Sequence, residues 1–105
     1  MVKNQNLRHT YQYAYVPLFN ATLAAAKTKN LKVDDLDKRR GRLVFSRDIS
    51  FRRLGERISV FFRAVTPQET EVEIVSQPVF SSLNYPQNWQ QLLHEQIEVE
   101  LLTKR

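Results

Sequence analysis

The chain has 105 residues, 42% hydrophobic and 26% charged, which suits one ordinary domain over residues 1–105 and excludes wholesale disorder or two independent cores. It has no cysteine, so a disulfide framework and thiolate metal sites are excluded, and no apolar run approaches the roughly 20 residues of a bilayer-spanning helix. The net charge of +5 is uneven: residues 38–68 hold nine Lys/Arg against two acids, whereas residues 69–105 hold two against six.

Met1 to Thr10 is polar and lacks the apolar stretch and small-residue cleavage site of a secretory signal, and residues 1–9 are expected to be flexible. From Leu7 to Tyr15, Tyr11, Tyr13 and Tyr15 share one parity and Thr10, Gln12 and Ala14 the other, which predicts a strand with one aromatic face. Pro17 suits the first turn of a helix, where its missing N–H needs no partner, so a helix is expected from residue 17. Leu18, Phe19, Thr22, Leu23 and Ala26 give it an apolar stripe, and Asn30 is a left-handed stop that ends it near Lys29.

Leu31–Leu36 and Gly41–Arg47 are then two extended segments reversed by Asp37, Lys38, Arg39, Arg40 and Gly41. Asp48–Gly55 is too mixed to assign alone; it extends its neighbouring strands into a longer hairpin ending near Gly55 if it is extended at all. A further hairpin follows, Glu56–Thr66 with Thr70–Gln77. Ile58, Val60, Phe62 and Ala64 form one face of its first strand, and Arg57, Ser59, Phe61 and Arg63 the other. Opposed residues must share parity for core to meet core, which predicts an odd loop, Pro67-Gln68-Glu69. Thr66 then faces Thr70, Phe62 faces Ile74 and Arg63 faces Glu73.

Pro78–Tyr85 reads as a loop, and Pro86 opens a final helix with Trp89, Leu92, Leu93, Ile97, Leu101 and Leu102 on its apolar stripe. The expected architecture is α+β in the order β-α-β-β-β-β-α, an antiparallel sheet of four to five strands with two helices packed on one face.

Little in this pattern points to catalysis. His9 and His94 lie in different elements without a metal-ligand spacing, and both are expected at the surface. Asp34, Asp35 and Asp37 lack the spaced oxygens and glycine of a calcium loop. Gly41 and Gly55 are the only glycines, which removes phosphate-binding glycine loops and the strained turn of serine hydrolases. Glu71 and Glu73 fall on the solvent face opposite arginines, as ion pairs rather than an acid/base couple. No enzyme activity, cofactor or metal is expected.

The basic middle is the candidate binding surface, and Arg40, Arg42, Arg53, Arg57, Phe61 and Arg63 are its candidate residues. Arginines interleaved with exposed aromatics bind single-stranded nucleic acid through phosphates and stacked bases, or anionic headgroups. The plainer alternative is a solvated sheet face partly neutralised by Glu71 and Glu73. A further alternative places a small apolar ligand between sheet and helix near Phe19, Phe62 and Trp89.

The run from Tyr11 through Arg42, YQYAYVPLFNATLAAAKTKNLKVDDLDKRRGR, resembles the opening of small bacterial envelope lipoprotein domains related to the C-terminal domains of BamC. Phe19, Ala21, Leu23, Ala24, Ala25, Leu31, Val33, Asp37 and Gly41 carry the likeness. RISVFFRAVTPQETEVEIV resembles the family's hairpin, and NYPQNWQQLL the start of its last helix. The resemblance implies a helix-grip sheet and a non-enzymatic role, binding a protein partner or an anionic surface in the periplasm or at the outer membrane. It supplies no catalytic residues, and the chain carries no cysteine to accept a lipid.

Overall fold

The computed structural model describes residues 7–49, 54–78 and 89–103. In chain order the elements are β1 (Leu7–Tyr11), α1 (Tyr15–Thr28), β2 (Lys32–Asp37), β3 (Arg42–Ile49), β4 (Leu54–Thr66), β5 (Glu69–Pro78) and α2 (Trp89–Thr103). The fold is α+β, with five antiparallel strands in the order β1-β5-β4-β3-β2. β2 to β5 form a meander; the described ends of the ambiguous Asp48–Gly55 stretch belong to β3 and β4, which pair as far as Ile49 opposite Leu54, so Gly55 lies within β4 rather than at the hairpin end, and residues 50–53 lie outside the described residues.

The chain starts on one edge of the sheet and crosses to the other through α1. Four steps between strands span about 19 Å, and a helix of 14 residues is about 21 Å long. One helix is therefore long enough to carry the chain from the β1 edge to the β2 edge while covering the inner face. Leu18, Phe19, Ala21, Thr22, Ala25 and Ala26 are its buried side. They pack with Leu43, Phe45, Ile58, Val60, Val72 and Ile74 from the sheet and with Leu93 and Ile97 from α2. Each fully buried Leu, Ile, Val or Phe contributes about 1.5–3 kcal/mol, so this layer holds the fold together. Cover thins at the β2 edge, where Val33 and Leu36 lie opposite Phe45 and Leu43 yet remain 43% and 50% exposed.

Several expectations shift in position. The first strand ends at Tyr11 and the helix begins at Tyr15, two residues before Pro17. Pro17 is thus its third residue, still within the turn whose N–H groups have no helical partner. Tyr15 does not continue a strand face; its hydroxyl donates to the Lys38 carbonyl at 2.6 Å, and its ring packs edge-on against Phe19 and Phe62. Asn30 is left-handed with φ 61°, as expected. The Leu31 N–H reaches back to the Ala26 carbonyl at 2.9 Å and the Asn30 N–H to Lys27 at 3.0 Å, which closes the helix end with paired reverse bonds.

The apolar stripe of α2 is rotated from its expected position. Leu93 and Ile97 are buried, Leu92 and Leu101 partly so, but Leu102 is 71% exposed. Gln90 and His94 take buried places instead, which corrects the expectation of a surface His94. The physical reason is a partner: His94 Nδ1 meets the Tyr11 hydroxyl at 2.7 Å, so its polar atom is satisfied inside the core. His9 is exposed, with its ring 4.1 Å from that of His94.

The β4–β5 register also differs. The turn is the two residues Pro67 and Gln68, with Thr66 opposite Glu69 and a bulge between Ala64 and Thr66. Phe62 therefore faces Val72 rather than Ile74, and Arg63 faces Glu71 rather than Glu73.

Candidate functional site

Both helices lie on the inner face of the sheet, leaving the outer face to side chains of the opposite parity. One cross-strand row on that face runs Asp37, Arg42, Phe61, Glu73, Arg8, each residue opposite the next from β2 to β1. Arg63 and Glu71 form the start of the adjoining row. Phe61 sits near the centre, 42% exposed, an aromatic ring with charged neighbours on both adjacent strands.

The β2–β3 turn adds a rim. The Arg40 N–H donates to Asp37 Oδ1 at 3.1 Å and the Gly41 N–H to the Asp37 carbonyl at 2.9 Å. The Gly41 carbonyl in turn accepts the Phe62 N–H at 2.9 Å, which fastens the turn to β4. Gly41 has φ 73°, and a Cβ added there would stand 2.9 Å from the Phe62 carbonyl oxygen. Only a glycine fits this approach without rearrangement.

Together these elements enclose an open recess of about 430 Å³, lined by Arg8, Arg40, Gly41, Phe61, Phe62, Arg63, Glu71 and Glu73. That volume is within the range of small-ligand sites, about 300–1,000 Å³. Its charges are largely paired. Arg63 reaches Glu71 Oε1 through Nη2 at 3.0 Å and Nε at 3.1 Å, and Arg8 lies 3.7 Å from Glu73. Arg40 is 3.9 Å from Asp37, with its side chain 78% exposed.

Of the six candidate residues, the fold brings Arg40, Phe61 and Arg63 into this recess. Arg42 lies opposite Phe61 but turns to Asp35, at 2.7 Å, and is not part of the lining. Arg57 is exposed on the same strand, four residues before Phe61, a separation of about 13 Å along β4. Arg53 lies outside the described residues. The sequence reading missed Arg8 and did not count Glu73 as part of a site. Arg8 falls in a stretch expected to be flexible, and nothing in local alternation shows that β1 pairs with β5.

Elsewhere, Phe19 and Phe62 pack on each other at 5.3 Å as part of the core beneath α1. The side chain of Trp89, the third residue of the apolar-ligand alternative, lies outside the described residues. Burial, and then the nearby Glu98 carboxylate, pushes the Tyr11 hydroxyl well above its ordinary pKa. Burial, and then Asp37, raises that of Tyr15. Among the described residues no three His, Asp or Glu side chains converge to hold a metal ion. Among them, too, no helix is long and apolar enough to cross a membrane.

No protein-family model matches the sequence, and no curated protein matches it either. The structure is similar to a chain in the crystal structure of the adenylate sensor from AMP-activated protein kinase in complex with 5-aminoimidazole-4-carboxamide 1-beta-D-ribofuranotide (ZMP). The TM-score is 0.60 at 10% sequence identity, covering 90% of this chain and 94% of that one. The superposition shows a shared fold over nearly the whole of both chains, and at 10% identity the chemistry of this chain's surface must be argued from its own residues.

Proposed function

We propose that the chain is a non-catalytic interaction domain of a bacterial envelope protein, which engages a protein partner through the outer face of its sheet. The observation that carries this reading is Phe61, half exposed in a recess ringed by Arg8, Arg40, Arg63, Glu71 and Glu73. An aromatic centre within a charged rim is the layout of a protein-interface hot spot, where the rim excludes water and sets orientation while the ring supplies buried area. The envelope setting rests on the resemblance carried by Tyr11–Arg42 and the β4–β5 hairpin.

A nucleotide or nucleic-acid ligand is the second reading, since the fold neighbour is crystallised with ZMP and arginine beside phenylalanine suits stacking and phosphate contact. It is less well supported on this surface. Glu71 and Glu73 share the recess with the arginines, so each phosphate brought in would face fixed carboxylates as well as guanidiniums.

The test is site-specific photo-crosslinking in living cells, with a benzophenone amino acid at position 61 and, as a control, at the exposed helix position Asn20. A discrete protein adduct from position 61 in the envelope fraction, without one from position 20, is the expected result. Cytosolic fractionation, or nucleic-acid adducts from position 61, would overturn the proposal in favour of the second reading.

A further inference from the structure

We infer that the recess takes one carboxylate carried beside an aromatic or large apolar group, as on an extended segment of a partner protein with a single acidic residue there, and rejects polyanions. The inference rests on the interaction-domain reading and names the chemistry of the partner.

Charge sets the valence of the ligand. Three guanidiniums and two carboxylates line the recess, a single net positive charge, with the Asp37 carboxylate just outside the lining and 3.9 Å from Arg40. The pairing is also unequal. Arg63 is held by Glu71 through two nitrogens and Arg8 lies 3.7 Å from Glu73, whereas Arg40 is the most exposed of the three and 3.9 Å from the Asp37 carboxylate. Arg40 is therefore the guanidinium with the most donor capacity left for an incoming anion. A carboxylate matches that capacity. A phosphate dianion or a nucleic-acid strand brings further negative charge towards Glu71 and Glu73 and is repelled there.

Spacing sets the shape of the ligand. Phe61 and Arg63 project from the same face of β4, two residues and about 7 Å apart, and the turn bearing Arg40 closes the same recess. An extended peptide repeats that distance between alternate side chains. It can lay an aromatic ring on Phe61 and, two residues on, a carboxylate against Arg40 and the outer edge of Arg63. Helical spacing, at three or four residues, does not present the two groups in line along a strand.

The experiment is an NMR titration of the full ¹⁵N-labelled chain with the blocked peptide Gly-Phe-Ser-Asp-Gly, its Asn counterpart, and a short oligothymidylate. The Asp peptide is expected to move the amides of Gly41, Phe61, Phe62 and Arg63, with roughly tenfold loss of affinity on replacing Asp by Asn. Arg40→Gln and Phe61→Ala, both at exposed side chains, should each weaken it similarly, and Arg39→Gln in the same turn should not. The idea is overturned if the oligothymidylate binds as tightly as the Asp peptide or the Asn peptide binds equally well. Equal losses from Arg39→Gln and Arg40→Gln would also sink it, since they would mean diffuse charge rather than a site. A peptide that moves no amides while position 61 still crosslinks a partner protein would defeat this inference and leave the interaction domain standing. The reverse pattern would do the opposite.

Discussion

The Tyr11 hydroxyl lies 2.7 Å from Nδ1 of His94 and ties the first strand to the last helix across 83 residues of sequence. Burial keeps the hydroxyl protonated, and it has two partners on the same residue, Nδ1 and, at 3.5 Å, the His94 carbonyl. Both residues sit in the core, where a polar atom that loses its partner cannot turn to water. Tyr11→Phe should therefore destabilise the fold by about 1–3 kcal/mol. Urea denaturation checks this; a loss below the error of the measurement would mean that His94 finds an equal partner elsewhere.

High pH acts on the same hydroxyl. Tyr11 and Tyr15 both have folded-state pKa values above that of an unfolded tyrosine, in each case chiefly through burial. A group raised in this way contributes its full stability below the unfolded value, about pH 10, and loses it as pH rises towards the folded value. Stability should thus fall above pH 10 more steeply in the wild type than in Tyr11→Phe. Chemical denaturation of both proteins on either side of that pH gives the slopes, and parallel curves would refute the contribution of Tyr11.

Much of the sheet was legible because alternation is a strong signal, but alternation fixes register only to within an even number of residues. A three-residue turn and a two-residue turn followed by a bulge have the same parity. Both put Arg63 opposite a glutamate and Phe62 opposite an aliphatic residue, so the sequence could not choose between Glu73 and Glu71. Local signals of another kind failed in α2, where hydropathy assigns His94 to the surface while its distant partner Tyr11 lets it be buried. The same limit hid Arg8: the recess needs β1 beside β5, a pairing between segments about 60 residues apart. What could be read, Arg40, Phe61 and Arg63, came from elements adjacent in sequence.

The register can be checked in solution by double-mutant cycles. Arg63 and Glu71 form a partly exposed cross-strand pair, for which a coupling of about 0.2–1 kcal/mol is expected. The coupling between Arg63 and Glu73, which lie diagonally, should be smaller. A larger value for the second cycle would restore the three-residue loop and move Arg63 towards Arg8.

Gly41 joins the stability of the fold to the shape of the recess. Its φ of 73° is unfavourable for any residue with a Cβ, and that Cβ would meet the Phe62 carbonyl oxygen at 2.9 Å. The Gly41 carbonyl also accepts the bond from the Phe62 N–H that fastens the turn to β4, so relief of the clash pulls on the bond that positions Arg40. Gly41→Ala should cost about 1–3 kcal/mol of stability through the left-handed backbone and the contact together. It should also weaken binding of the acidic-aromatic peptide even at temperatures where the variant is fully folded, because the rim carrying Arg40 is displaced from Phe61. Denaturation and peptide titration on the same sample separate the two effects. A destabilised variant with unchanged affinity would show that the turn supports the sheet without shaping the recess.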